Sequence, residues 1–114
     1  MTTSPLFDVL RGLLAKRILL VDGAMGTMIQ REGLEEADFR GTRFADHPQD
    51  LAGDNDLLVL TRPDVIRDIH ASFFKAGCDA VETNTFGGMP HVLKEFGLED
   101  RCDEINAAAV RAAS

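Results

Sequence analysis

Cysteine is scarce in this chain: Cys78 and Cys102 are the only two in 114 residues. Two thiols so far apart make neither a disulfide-stapled secreted scaffold nor a CxxC metal site, so both are expected reduced and the protein cytoplasmic. Positive charge is also short. Twelve Lys and Arg stand against 19 Asp and Glu, a formal net charge of -7. A surface that tracks phosphates concentrates Lys and Arg on one face, so no nucleic-acid partner is expected. Missing too is any unbroken apolar run of roughly 18 residues, the length a membrane span needs. Asp8 and Arg11 interrupt the apolar stretch of Met1 to Leu14, which lacks the h-region and cleavage site of a signal peptide. Gly23-Ala-Met-Gly26 falls short of a full Gly-x-Gly-x-x-Gly, and His47, His70 and His91 show no ligand spacing, so neither a phosphate loop nor a histidine metal site is read here.

What is present suits one ordinary domain, with 45% hydrophobic residues to bury. Leu6, Val9, Leu10, Leu13 and Leu14 recur at helical spacing behind Ser4 and Pro5, which predicts a leading helix with a serine N-cap. Ile18 to Asp22 reads as a first strand, with Gly23 permitting a tight exit, and Met25 to Gln30 as a brief helix closed by Gly33. Residues 34 to 56 have no clear period. The stretch from Glu32 to Asp56 holds most of the acidic excess, eight Asp or Glu against Arg40 and Arg43, and residues 34 to 56 read as a long, solvated connection anchored by Phe39 and Phe44. Thr61-Arg-Pro-Asp64 resembles a capping box, so a helix is expected to start there. Val65, Ile66, Ile69, Phe73 and Phe74 form its inner stripe, His70 falls on its flank, and Gly77 ends it. Asp79 to Thr83 reads as a second strand. Strand, connection with helix, strand is a crossover unit with parallel strands. Pro90 to Phe96 adds one or two turns ended by Gly97, and Glu99 to Ala113 a last helix with Cys102, Ile105, Ala109 and Ala112 inward.

The segments Asp-Gly-Ala-Met-Gly-Thr at 22 to 27, Asp-Phe-Arg-Gly at 38 to 41, Asn-Asp-Leu-Leu-Val-Leu at 55 to 60, Pro-Asp-Val-Ile-Arg-Asp-Ile-His at 63 to 70 and Glu-Thr-Asn-Thr-Phe at 82 to 86 together resemble one family. It is the homocysteine S-methyltransferase family, and the likeness is nearest to the homocysteine-binding module of its cobalamin-dependent methionine synthase branch. It runs from about Ile18 to Val110. The resemblance implies an α/β fold, a (β/α)8 TIM barrel of which residues 1–114 would be an incomplete, N-terminal part: a leading helix and the first two β/α units. It implies methyl transfer to homocysteine sulfur, with a zinc ion holding the thiolate. An ionised sulfur is the nucleophile such a transfer requires. The family's zinc ligands are cysteines on later strands, and neither Cys78 nor Cys102 occupies a ligand position, so no metal ligand and no catalytic residue is assigned within this chain. Cobalamin and methyltetrahydrofolate would belong to further modules of the parent protein.

Carried over residue by residue, the resemblance assigns Asp22 to the homocysteine ammonium and the backbone at Gly23 and Ala24 to its carboxylate. Thr27 belongs to the same motif, and Glu82, Thr83, Asn84 and Thr85 would stand at the next strand mouth. A glycine allows close backbone approach, and N–H groups at a helix start suit an anion. The plainer alternative makes Asp22 a helix cap, Glu82 and Asn84 loop-holding groups, and Met25 and Met28 core filling. Two other readings of the whole stay open: a small, non-catalytic amino-acid-binding module, and a doubly wound α/β domain with its site at a strand switch point.

Overall fold

A computed structural model describes residues 4–114; Met1–Thr3, where the opening stretch discussed above begins, lie outside the described residues. Helix α1 (Pro5–Leu14) starts where the sequence predicts, with Ser4 Oγ accepting the Phe7 N–H at 3.2 Å and Pro5 in the first helical position. It buries none of its residues, and Leu6, Val9 and Leu14 stand exposed. Helix α2 (Met25–Arg31) is followed by Gly33 at φ 63°. Helix α3 (Glu36–Arg40) comes next, then a 3-10 turn (Asn55–Leu57) that runs into α4 (Leu58–Thr61). Helix α5 (Pro63–Ala76) is the longest and exits through Gly77 at φ 110°, which only glycine adopts without strain. Short α6 (Pro90–Leu93) and the closing α7 (Cys102–Ala113) complete the order.

The core lies where α4, α5 and α7 meet. Leu57, Leu58, Ile66, Leu93 and Ile105 are completely shielded from solvent there, joined by Leu51, Leu98 and Ala109. Each Leu or Ile buried in this way contributes about 1.5–3 kcal/mol, so this cluster dominates the stability.

The expected α/β architecture is not found. Among the described residues there is no sheet, and the two predicted strands, Ile18 to Asp22 and Asp79 to Thr83, meet only at one isolated parallel bridge, Val21 with Ala80. The molecule is an all-helical core with two extended segments laid side by side, not the opening of a (β/α)8 barrel and not a doubly wound sheet. The physical reason lies in the partners. A two-stranded pair is marginal in water, and a parallel strand is stable only when both faces are covered. Here Ile18, Leu20 and Val21 are exposed, so the apolar run is uncovered. Three backbone bonds hold the pair, from Asp22 N–H to the Ala80 carbonyl at 3.2 Å and from Asp79 and Ala80 N–H to the Leu20 carbonyl at 2.8 and 3.3 Å, and carboxylates extend it. Asp79 accepts the Leu20 N–H at 2.8 Å and a forked pair from Arg17 at 3.0 and 2.7 Å, while Asp22 Oδ1 accepts the Glu82 N–H at 2.8 Å.

Residues 34 to 56 also depart from expectation. Glu35 and Asp38 form a capping box on α3, and Glu36 with Arg40 stitches the following loop: Glu36 accepts the Leu51 and Ala52 N–H groups, and Arg40 donates to the carbonyls of His47 and Gln49 at 2.7 and 2.9 Å. The acidic run is thus only partly a solvated face. Asp54 and Asp56 are buried, and Phe39 and Phe44 are buried anchors. The Thr61 capping box does not form. Thr61 ends α4, Arg62 is the N-cap of α5, and its guanidinium bridges Asp38 and Asp64. Phe74, placed on the inner stripe by its spacing, is 45% exposed, whereas His70 is turned inward and only 2% exposed.

Candidate functional site

One cleft of about 540 Å³ opens beside the bridged segments, a size suited to a small metabolite. One wall comes from Asp22 to Gly26 and from Glu82 to Gly87, the other from Gly53 to Asp56, with Val92 and Phe96 closing the end. The isolated bridge sets the first wall. Because Val21 and Ala80 run parallel, the residues that follow both segments leave in the same direction and reach one opening.

Seven of the residues singled out in the sequence therefore share this cleft: Asp22, Gly23, Ala24, Glu82, Thr83, Asn84 and Thr85. Thr27 does not; it stands exposed on α2 away from the lining. Asp22 does not cap α2, whose N-cap position is Ala24 with no side-chain hydrogen bond. Its carboxylate instead spends one oxygen on Glu82 N–H, and the other faces His70 Nδ1 at 4.0 Å, with both side chains almost fully shielded. At the exit that Gly23 was expected to permit, the left-handed conformation falls on Ala24, at φ 53°. That conformation costs a non-glycine residue about 1–2 kcal/mol, a strain held by its surroundings at the cleft rim. Thr83 and Thr85 hydroxyls share a hydrogen bond at 2.8 Å, and Asn84, itself buried, donates to the Asn55 carbonyl at 2.8 Å and so joins the two walls.

The second wall was not read as a site in the sequence. Asp54 and Asp56 sit on the turn into α4, and burial lifts both carboxyls above their usual range. For Asp54 the shift reaches about 6, caused first by desolvation and then by the neighbouring Asp56 charge, and one of its oxygens has no hydrogen-bond partner. Asp56 accepts the Gly87 N–H at 3.3 Å, and a Cβ on Gly87 would lie 2.6 Å from the Asp56 carboxylate, so the second wall is closed by a backbone approach only glycine permits. A buried acid pair beside an apolar run, Asp54-Asn-Asp56 before Leu57-Leu-Val-Leu60, was the signal available for it.

The cleft is lined by four carboxyl-bearing residues, Asp22, Asp54, Asp56 and Glu82, and by no Lys or Arg. Such walls favour a ligand with a cationic group. A family model described as homocysteine S-methyltransferase matches residues 19–114. The chain belongs to the homocysteine S-methyltransferase family. Methyl transfer to a homocysteine-like substrate is the chemistry of that family, and the matched span includes every residue of both cleft walls. Among the described residues no group of three or more His, Cys, Asp or Glu could hold a metal ion; of the two free thiols, Cys78 follows α5 and Cys102 opens α7. The described residues thus do not fit a zinc centre. No described helix is long and apolar enough to cross a membrane.

Proposed function

We propose that the cleft binds the amino-acid end of homocysteine for methylation of its sulfur to give methionine. The observation that carries this reading is the joining of Asp22 and the Glu82 backbone on one cleft wall, in a chain of this family. In this reading the Asp22 carboxylate receives the substrate ammonium. A carboxylate has about four acceptor positions, and the Glu82 N–H uses one. The backbone at Gly23 and Ala24 faces the substrate carboxylate, and Glu82, Thr83, Asn84 and Thr85 order the rim. These residues bind and orient; no described residue is assigned a chemical step.

The methionine synthase type of chemistry, with zinc at the thiolate, would draw its metal ligands from groups other than those described here. Cobalamin and methyltetrahydrofolate, if they serve as the methyl source, would bind elsewhere too. A cleft of about 540 Å³ is small for a corrin, and acidic walls oppose a folate glutamate tail. A second reading, amino-acid binding without group transfer, uses the same cleft, since every residue assigned to it binds or orients.

Calorimetric titration tests the proposal. L-homocysteine is expected to bind, and Asp22→Asn to weaken it roughly ten- to hundredfold, the worth of a hydrogen bond to a charged group. Unchanged affinity in that variant would remove Asp22 from the site.

A further inference from the structure

His70 is the one histidine buried in the core side of the cleft wall, 2% exposed, and neither ring nitrogen has a hydrogen-bond partner in the protein. A buried imidazole N–H without an acceptor costs about 1–3 kcal/mol, so its placement asks for a reason. Its stripe supplies half of one. Ile66, Ile69 and His70 of α5 all turn inward, and α5 packs against α2, which follows directly on Asp22 and Gly23. The other half is proximity. Nδ1 lies 4.0 Å from Asp22 Oδ2, and His70 itself is no part of the cleft lining.

We propose that His70 is a positioning residue for the amino-acid site: a neutral imidazole protonated on Nδ1 that holds the Asp22 carboxylate from behind and fixes its orientation for the substrate ammonium. The inference rests on the assignment of Asp22 made under Proposed function. Chemistry selects the tautomer. With the proton on Nδ1, the N–H dipole faces a carboxylate; with it on Nε2, a lone pair would face that negative charge and the N–H would point into the core without an acceptor. Burial keeps the ring neutral, pulling its pKa below the usual histidine value against the opposing pull of the Asp22 charge. The Asp22 oxygens are thereby divided: Oδ1 takes the Glu82 N–H, Oδ2 faces the imidazole, and the remaining lone pairs are left for the ligand. The separation of 4.0 Å exceeds a hydrogen bond by about 1 Å, so the imidazole acts on the carboxylate as an N–H dipole facing a charge.

The test needs two readouts on the intact protein. Nitrogen-15 NMR of the histidine rings reports the tautomer without ligand; His70 is expected as the Nδ1–H form in the native protein, and to lose that preference in Asp22→Asn. Calorimetry then compares variants. His70→Leu is expected to bind L-homocysteine about tenfold more weakly, and His70→Asn, whose amide N–H replaces Nδ1–H, to recover most of the affinity, while His70→Gln, which mimics Nε2, does not. An Nε2–H tautomer, or one indifferent to Asp22, would overturn the proposal, as would folded His70→Leu protein that binds like the native chain. Should His70→Leu fail to fold, the Asn and Gln pair and the NMR decide. Native protein that does not bind homocysteine contradicts the function assigned to the cleft, whereas the tautomer still decides the link from His70 to Asp22.

Discussion

The two walls of the cleft are built by opposite means. The wall of Asp54 and Asp56 grows out of the turn into α4 and is backed by Leu57 and Leu58, which no solvent reaches. The wall of Asp22 and Glu82 belongs to two extended segments that share a single bridge, with Leu20 and Val21 of one segment more than half exposed. One wall is held by apolar packing, the other by a few backbone hydrogen bonds and by carboxylates accepting backbone N–H groups. The difference teaches where adaptability resides: segments with few buried contacts open at lower free energy than a packed core, and binding surfaces are drawn from that end. The fixed wall sets the shape, and the loosely paired wall presents the carboxylate assigned to the substrate.

The largest effect that would sharpen this contrast is in the core. Leu58→Ala should cost about 2–5 kcal/mol in denaturant unfolding, whereas Val21→Ala should stay within about 0.5 kcal/mol. A comparable loss from both would erase the distinction between the walls. Next comes the charge buried behind the packed wall. The Asp54 carboxyl, raised to about 6 in the folded chain, binds its proton more tightly folded than unfolded. Its contribution to stability is therefore present below about pH 4 and lost as pH rises through about 6, and Asp54→Asn should stabilise the protein at pH 7 by on the order of 1 kcal/mol while flattening that part of the pH profile. The smallest effect is on the bridged wall. Asp79, drawn down to about 2 first by the Arg17 hydrogen bond and then by the Leu20 N–H, gives stability that is present above about pH 4 and lost as pH falls toward 2. Asp79→Asn should remove that acid-side step and loosen the N–H groups of Leu20, Asp22 and Ala80 in hydrogen exchange, leaving α4, α5 and α7 protected.

Local rules were legible wherever a few neighbouring residues decide the outcome. Ser4 and Pro5 place α1, Gly77 closes α5, Phe39 and Phe44 anchor their loop, and Ile105, Ala109 and Ala112 point inward as their spacing requires. The parallel sense of the two apolar runs was legible too, because a helix must cross between them. The sheet was not, since strand character is a local property and a sheet is a matter of partners. Ile18 to Val21 carry the residues of a buried parallel strand and have nothing to bury them. Charge misled in a similar way: eight acidic residues in one stretch read as solvated, yet Asp54 and Asp56 are shielded by the α4 turn and by Gly87. His70 was assigned to a flank because polarity outweighed register, although it shares a helical face with Ile66 and Phe73.

Under the proposed function the Asp22 carboxylate reads the ammonium of the substrate. The most direct measurement compares L-homocysteine with 4-sulfanylbutanoate, the same thiol acid without its amino group, by calorimetry on the native protein and on Asp22→Asn. The native protein is expected to prefer homocysteine by roughly tenfold or more, and Asp22→Asn to abolish the preference. Equal affinities for the two thiols in the native protein, or a preference that survives the substitution, would contradict it.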